Sequence, residues 1–324
     1  MRKFTACLAV LLGVTLLGGV LGMTGSAAQR AAPKASTVKI ALILNDDDSP
    51  YYVTLANGAK AEAKTLGVDL TFTVPAEISA PSETETLETV TAEKPDFIIM
   101  SAVDSKAMVA PLKVVKADGI PVITVDTDVD NPSVRLGTIS SDNVAGGEVA
   151  ALVMDKLLSG KGEVAYEGYT PGIASVDNRH TGWLVGLKKY PGLTNVVSSY
   201  DNYSLTDVFT KVSAILERFP DLRGIFAATD NEAVGSATAV VAAGDKGKVK
   251  VVGFDGSPDE INDVRNGSVA ALVLQKPYLM GSLAVREAVA YLLHKTPVPE
   301  RVATSFVVVT KSNMTNPGVS RWFY

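Results

Sequence analysis

Residues 251–259 read Val-Val-Gly-Phe-Asp-Gly-Ser-Pro-Asp. Two β-branched residues and Phe254 make an apolar run, and Gly256, Ser257 and Pro258 break it. That is the pattern of a buried parallel strand ending in an acid and a glycine turn. In an open α/β sheet, ligands bind just outside the carboxyl ends of the strands, so Asp255 stands where a carboxylate meets a ligand. The same acid also reads as a helix N-cap for the segment that follows.

The stretch has companions on both sides. Val122-Ile123-Thr124-Val125-Asp126 is a second apolar run ending in an acid. Other apolar runs, at 38–44, 68–74 and 97–100, read as strands, with helices at 51–66, 83–92 and 107–117 between them. After Asn143 the rhythm repeats, with helices at about 144–158, 178–189, 205–218, 231–243 and 258–266. Strands fall between them at 162–166, 194–200, 224–228, 248–254 and 270–274, and a helix follows around 280–293. This alternation implies parallel sheets with helices on both faces, in two similar halves.

The first residues look like an export signal. Arg2 and Lys3 are basic, Leu8 to Val20 is apolar, and Ser26-Ala27-Ala28 offers small residues for cleavage before Gln29. Cys7 precedes the apolar run, too early to be the lipidated cysteine of a lipoprotein signal, and no cysteine follows it. Disulfide and thiolate chemistry are therefore excluded after cleavage. Residues 29–37 lack periodicity and read as a flexible lead-in. The formal net charge of −5 argues against nucleic acid as a partner.

Several catalytic and metal signals fail on context. Gly160-Lys161-Gly162 follows a helix and precedes a strand, the reverse of a dinucleotide fingerprint. Asp126, Asp128 and Asp130 mimic the start of a calcium loop, but Asn131 and Gly137 stand where its glycine and glutamate belong. The two histidines, His180 and His294, are far apart, and no nucleophile elbow occurs. The expectation is a protein without catalytic residues, cofactor or metal site.

Further motifs follow in order: Ser140-Ser141-Asp142-Asn143-Val144-Ala145-Gly146-Gly147, Asp177-Asn178-Arg179-His180-Thr181-Gly182-Trp183, Phe226-Ala227-Ala228-Thr229-Asp230 and Leu274-Gln275-Lys276-Pro277. With the strands ending at Asp126 and Asp255, this set resembles the sugar-binding periplasmic proteins of ribose, galactose and xylose importers, the periplasmic-binding-protein type I family. The resemblance spans roughly residues 38–311. The lactose-repressor family shares this core, but an export signal and the lack of a DNA-binding headpiece set the chain apart.

The resemblance implies an α/β fold of two doubly wound parallel-sheet lobes joined by a three-segment hinge. The first lobe would comprise residues 38–142 and 276–302, and the second 143–275 and 303–311, with a tail at 312–324. Crossings would fall near 141–143, 275–277 and 302–304. The tail, ending Trp322-Phe323-Tyr324, reads as irregular, its aromatics docked on a lobe.

It also implies a cleft whose planar polar side chains pair with sugar hydroxyls while aromatic rings cover apolar faces. From the first lobe it draws Asn45, Asp48, Ser49, Tyr51, Tyr52, Ser101 and Asp126. From the hinge and second lobe it draws Asn143, Arg179, Tyr203, Thr229, Asp255 and Gln275. Asp46, Asp47 and Ser105 are weaker candidates, Asp230 reads as a helix cap beside the cleft, and Trp183 as core. Thr127, Thr229 and Ser101 replace longer side chains of ribose binders, so the pocket should be larger or differently polar. The expected function is capture of a monosaccharide or polyol outside the cytoplasm by a monomer, for delivery to the membrane permease of an ABC importer. The alternative is a sensory binding protein acting through a membrane receptor.

Overall fold

The computed structural model describes residues Thr37–Tyr324; the export signal and most of the lead-in lie outside the described residues. The first half runs β1 (Lys39–Ile43), α1 (Pro50–Leu66), β2 (Asp69–Thr73), α2 (Ala80–Ala92), β3 (Phe97–Met100), α3 (Val109–Ala117), β4 (Val122–Val125) and β5 (Thr138–Ser141). The second runs α4 (Asn143–Leu158), β6 (Gly162–Tyr169), α5 (Ala174–Leu187), β7 (Leu193–Asp201), α6 (Leu205–Arg218), β8 (Leu222–Ala227), α7 (Asp230–Ala242), β9 (Lys250–Phe254), α8 (Pro258–Asn266) and β10 (Ala271–Leu274). The chain then returns through α9 (Pro277–His294) to β11 (Arg301–Thr304), and finishes with β12 (Val307–Thr310) and α10 (Pro317–Ser320).

Two six-stranded sheets result, in the orders β11-β5-β4-β3-β1-β2 and β12-β10-β9-β8-β6-β7. All pairings are parallel except β10 with β12. The apolar strands explain this: β3, β4, β9 and β10 are buried along almost their whole length, as strands covered by helices on both faces must be. The strand-to-strand steps through single helices follow the right-handed crossover logic of α/β sheets.

Three segments pass between the sheets. β5 leads into α4 through Asp142, which accepts from the Ala145 amide, and β10 leads into α9 through Gln275 and Lys276. The third passage lies at residues 305–306, because Thr304 still pairs with Ser141 in the first sheet. The sequence placed it at 302–304. Lys276 Nζ donates to Ser305 Oγ at 2.8 Å, tying two passages together.

Packing of α5 on α4 is unusually close and sets the position of Arg179. A Cβ on Gly182 would overlap the carbonyl oxygen of Val144, and one on Gly147 would overlap that of Arg179. The helix begins at Ala174, four residues before the sequence reading, so Arg179 sits in its second turn. Trp183 is fully buried, as expected of a core residue, with Nε1 donating to Asn195 Oδ1 at 3.0 Å. Among the described residues no helix is long and apolar enough to cross a membrane.

Candidate functional site

The carboxyl ends of both sheets face one cavity of about 590 Å³, counted out to its mouth. Asp126 follows β4 and Asp255 follows β9, one from each sheet. Each has its amide held by the neighbouring strand: Asp126 N–H donates to Ile139 O at 2.8 Å and Asp255 N–H to Val273 O at 3.1 Å. Both adopt positive φ, 68° and 98°. Left-handed backbone is uncommon for residues other than glycine and costs of order 1–3 kcal/mol, so it marks sites where a side chain must be aimed. Among the described residues six non-glycine positions have positive φ. Ser159 and Lys295 cap helices and Lys94 ends a turn after α2; the remaining three, Asp126, Tyr203 and Asp255, all line this cavity.

The carboxylates are held by a chain of hydrogen bonds. Tyr51 Oη donates to Asp126 Oδ1 at 2.7 Å and Tyr52 Oη to Asp126 Oδ2 at 2.9 Å. Gln275 Nε2 donates to Asp255 Oδ1 at 2.7 Å, and the Gln275 Oε1 atom lies 3.5 Å from Tyr51 Oη. Burial, opposed by the tyrosine hydroxyls and Arg179, moves the Asp126 carboxyl up from its usual range. Burial and the adjacent carboxylates push Tyr51 and Tyr52 well up, so both remain protonated donors.

Arg179 is buried and fixed from three sides. Nε donates to Asn143 Oδ1 at 2.9 Å, Nη1 to the carbonyl of Ala228 at 2.7 Å, and the guanidinium lies 3.9 Å from the centroid of Phe254. Its Nη1 approaches Asp255 Oδ2 at 3.8 Å, close enough for attraction but not for a hydrogen bond. This one cation faces Asp46, Asp126, Asp230 and Asp255, so the wall is rich in acceptors and net negative. Burial, with Asp255 nearby, raises Asp230 to about 6. Asn45 Oδ1 is buried on the same wall with no protein hydrogen-bond partner among the described residues.

Of the thirteen sequence candidates, Asn45, Ser49, Tyr51, Tyr52, Asp126, Arg179, Tyr203, Thr229, Asp255 and Gln275 line this cavity. Three stand back from it. Asn143 orients Arg179, and Ser101 lies 3.3 Å from Tyr52 Oη. Asp48 is exposed; the turn closes on Asp46, whose Oδ1 accepts from the amides of Asp48 and Ser49, so Asp46 faces the cavity instead. Tyr169 was not anticipated; it packs beside Tyr203 with centroids 5.1 Å apart. Its place at the end of β6, beyond a segment read as five residues, hid it. Tyr324 was also missed, and its hydroxyl donates to Asp255 Oδ1 at 2.6 Å. Next to Ile173, which lines the cavity, Ser105 N–H donates to Gly172 O at 3.0 Å, joining the loop after β3 to the loop after β6. Among the described residues no group of three or more His, Cys, Asp or Glu side chains is arranged to hold a metal ion.

Comparison with known proteins identifies the family and the fold. Residues 40–296 match the family described as periplasmic binding protein domain. The ribose import binding protein of Bacillus subtilis is 29% identical over 84% of this chain and 87% of its own. The D-allose-binding periplasmic protein of Escherichia coli is 31% identical, over 84% and 87%. A solved ABC transporter solute-binding protein from Agrobacterium vitis, bound to α-D-tagatopyranose, superposes with a TM-score of 0.86 at 32% identity, covering 89% of this chain and 99% of its own.

Proposed function

The chain belongs to the periplasmic binding protein family, and from that premise we propose that it captures a neutral monosaccharide or polyol between its two lobes and delivers it to an ABC-type importer. The observation that carries the ligand class is the charge pattern of the wall: four carboxylates, one guanidinium and tyrosines at the carboxyl ends of both sheets. Carboxylates accept from sugar hydroxyls, and the guanidinium donates to hydroxyl or ring oxygens. An anionic ligand such as a sugar phosphate would face net repulsion there. The relatives named above handle ribose, allose and tagatose, aldoses and a ketose of five or six carbons.

The residues assigned to ligand contact are Asn45, Asp46, Tyr51, Tyr52, Asp126, Arg179, Tyr203, Asp230, Asp255 and Gln275, with Asn143 and Ser101 behind them. Binding shifts the two lobes toward the closed arrangement, in which the Ser105–Gly172 contact joins them, and the closed form is what a permease recognises. No bond-making step is part of this reading, and the site of action is outside the cytoplasmic membrane. At about 0.5–1.5 kcal/mol for each net hydrogen bond, eight bonds plus ring packing give a Kd of roughly micromolar or tighter.

A thermal-shift screen of residues 37–324, stripped of co-purified ligand, against pentoses, hexoses, ketoses, branched sugars and short polyols tests it. A ligand at a hundredfold excess over Kd adds about 2.7 kcal/mol and a clear rise in Tm. A flat screen refutes the sugar assignment.

A further inference from the structure

The segment after β12 folds back over the hinge. Asn313 Oδ1 accepts from the Thr310 amide and Asn316 caps α10, while Met314 enters the second-sheet core. Val319, Trp322, Phe323 and Tyr324 then pack on that same core. Trp322 covers the ammonium of Lys276, 4.6 Å from its ring centroid, at the passage between β10 and α9. The course of the chain delivers Tyr324 behind the cavity wall, against Asp255 and Tyr51, with its amide donating to Gly256 O at 3.3 Å.

Two contacts of Tyr324 reach the ligand-facing groups. Its hydroxyl and Gln275 Nε2 both donate to Asp255 Oδ1, at 2.6 and 2.7 Å, leaving Oδ2 for other partners. Its ring meets Tyr51 edge-on, with centroids 5.8 Å apart, and it is the one side chain packed against both lobe cores through the segment. Tyr51 in turn donates to Asp126. The two carboxylates on opposite sheets are thus linked through Tyr51 and Tyr324.

Building on the sugar-binding reading, we infer that residues 312–324 form a strap belonging to the binding site, with Tyr324 a positioning residue that fixes Asp255 for the ligand and rests on Tyr51 when the lobes close. The strap's anchors lie on the second lobe and the hinge, so it stays docked while the lobes move. Only the ring contact with Tyr51 is made and broken. Tyr324 therefore acts on affinity and on ligand release together.

The test is a cycle of Tyr324→Phe, Asp255→Gly, which removes the acceptor and suits the positive φ, and the double variant, with Kd by calorimetry for the sugar selected in the screen. Tyr324→Phe should raise Kd about tenfold, the worth of one charge-assisted hydrogen bond. If Tyr324 works through Asp255, the double variant binds no worse than Asp255→Gly alone; additive losses overturn the inference. An unchanged Kd in Tyr324→Phe overturns it too. If the wild-type protein binds none of the sugars, the sugar reading fails and the strap is judged by fluorescence. Trp183 is fully buried, so acrylamide quenching reports Trp322. Tyr324→Ala should expose Trp322 to the quencher, and equal quenching of the two proteins overturns the docked strap.

Discussion

Replacing Asp255 by asparagine isolates the charge of the carboxylate that follows β9. Oδ1 accepts from Gln275 Nε2 and Tyr324 Oη, whereas the nearest cation to Oδ2 is Arg179 Nη1 at 3.8 Å. In Asp255→Asn the amide oxygen keeps both donors, and the amide nitrogen takes the place of Oδ2. Shape and backbone are preserved, including the positive φ, which asparagine tolerates well. A ligand hydroxyl that donates to Oδ2 then meets another donor. A hydrogen bond to a charged group contributes about 1.5–3 kcal/mol, so Kd should rise roughly 10- to 100-fold.

The stability of the same variant should change little. Arg179 retains its bonds to Asn143 and Ala228 O and its place on Phe254, and Asp126 still offsets its charge. Calorimetry on ligand-stripped protein gives Kd, and a thermal melt without ligand gives the control. A Kd within twofold of wild type would remove Asp255 from the contact set. Lost binding with a collapse in Tm would show instead that the carboxylate is structural. Arg179→Ala is the contrasting case. It strands Asn143 Oδ1 and the Ala228 carbonyl in a buried site, so it should cost both binding and several kcal/mol of stability.

Three further outcomes follow from other parts of the molecule. Gly182→Ala forces α5 away from Val144 and displaces Arg179, so overpacking of about 1–3 kcal/mol should lower Tm by several degrees and weaken binding; an unchanged melt and Kd would contradict the close packing. Burial raises Glu167 to about 8, so the folded protein holds a proton that the unfolded chain loses near pH 4, and stability falls as pH rises between those values. Glu167→Gln should therefore raise Tm strongly at pH 9 and little at pH 5, and a pH-independent difference would refute that environment. Gly172 has a φ of +109° and accepts the Ser105 amide between the two loops; Gly172→Ala should speed ligand dissociation in stopped-flow fluorescence, and an unchanged rate would remove the contact from the closing mechanism.

What the sequence disclosed and what it hid have separate physical causes. β3, β4 and β9 are continuous apolar runs because helices cover both faces, so Asp126 and Asp255 at their ends were legible. β5 reads Thr-Ile-Ser-Ser, fully buried yet mostly polar, and carries no strand signal; it is held by β4 and β11 on either side. The loop Asp46-Asp47-Asp48 offered three equivalent acids. Which one faces the cavity depends on a turn that closes on Asp46 Oδ1, and composition does not encode that choice. The start of α5 at Ala174 was hidden because Ile173 at its N-cap offers no capping side chain, leaving Asp177 and Asn178 as the nearest start signals in the sequence. The contact between Tyr324 and Asp255 spans 69 residues, far beyond any periodicity.

The wall of the cavity is organised by protein partners alone. Tyr51 and Tyr52 hold Asp126, Gln275 and Tyr324 hold Asp255, and Asn143, Ala228 and Phe254 hold Arg179. Ordering such side chains on binding would otherwise cost about 0.5–1.5 kcal/mol each. The rigid groups therefore set affinity through preorganisation, while discrimination among sugars falls to positions with spare hydrogen-bonding capacity. Asn45 Oδ1 and Asp255 Oδ2 are two such positions, one on each lobe. A sugar that can donate to both is bound only when the lobes are together. Loss of either hydroxyl should then weaken closure and affinity in the same proportion, which deoxy analogues of the selected sugar measure directly by small-angle scattering and calorimetry. Affinity lost with closure unchanged would place those hydroxyls outside the interlobe contacts.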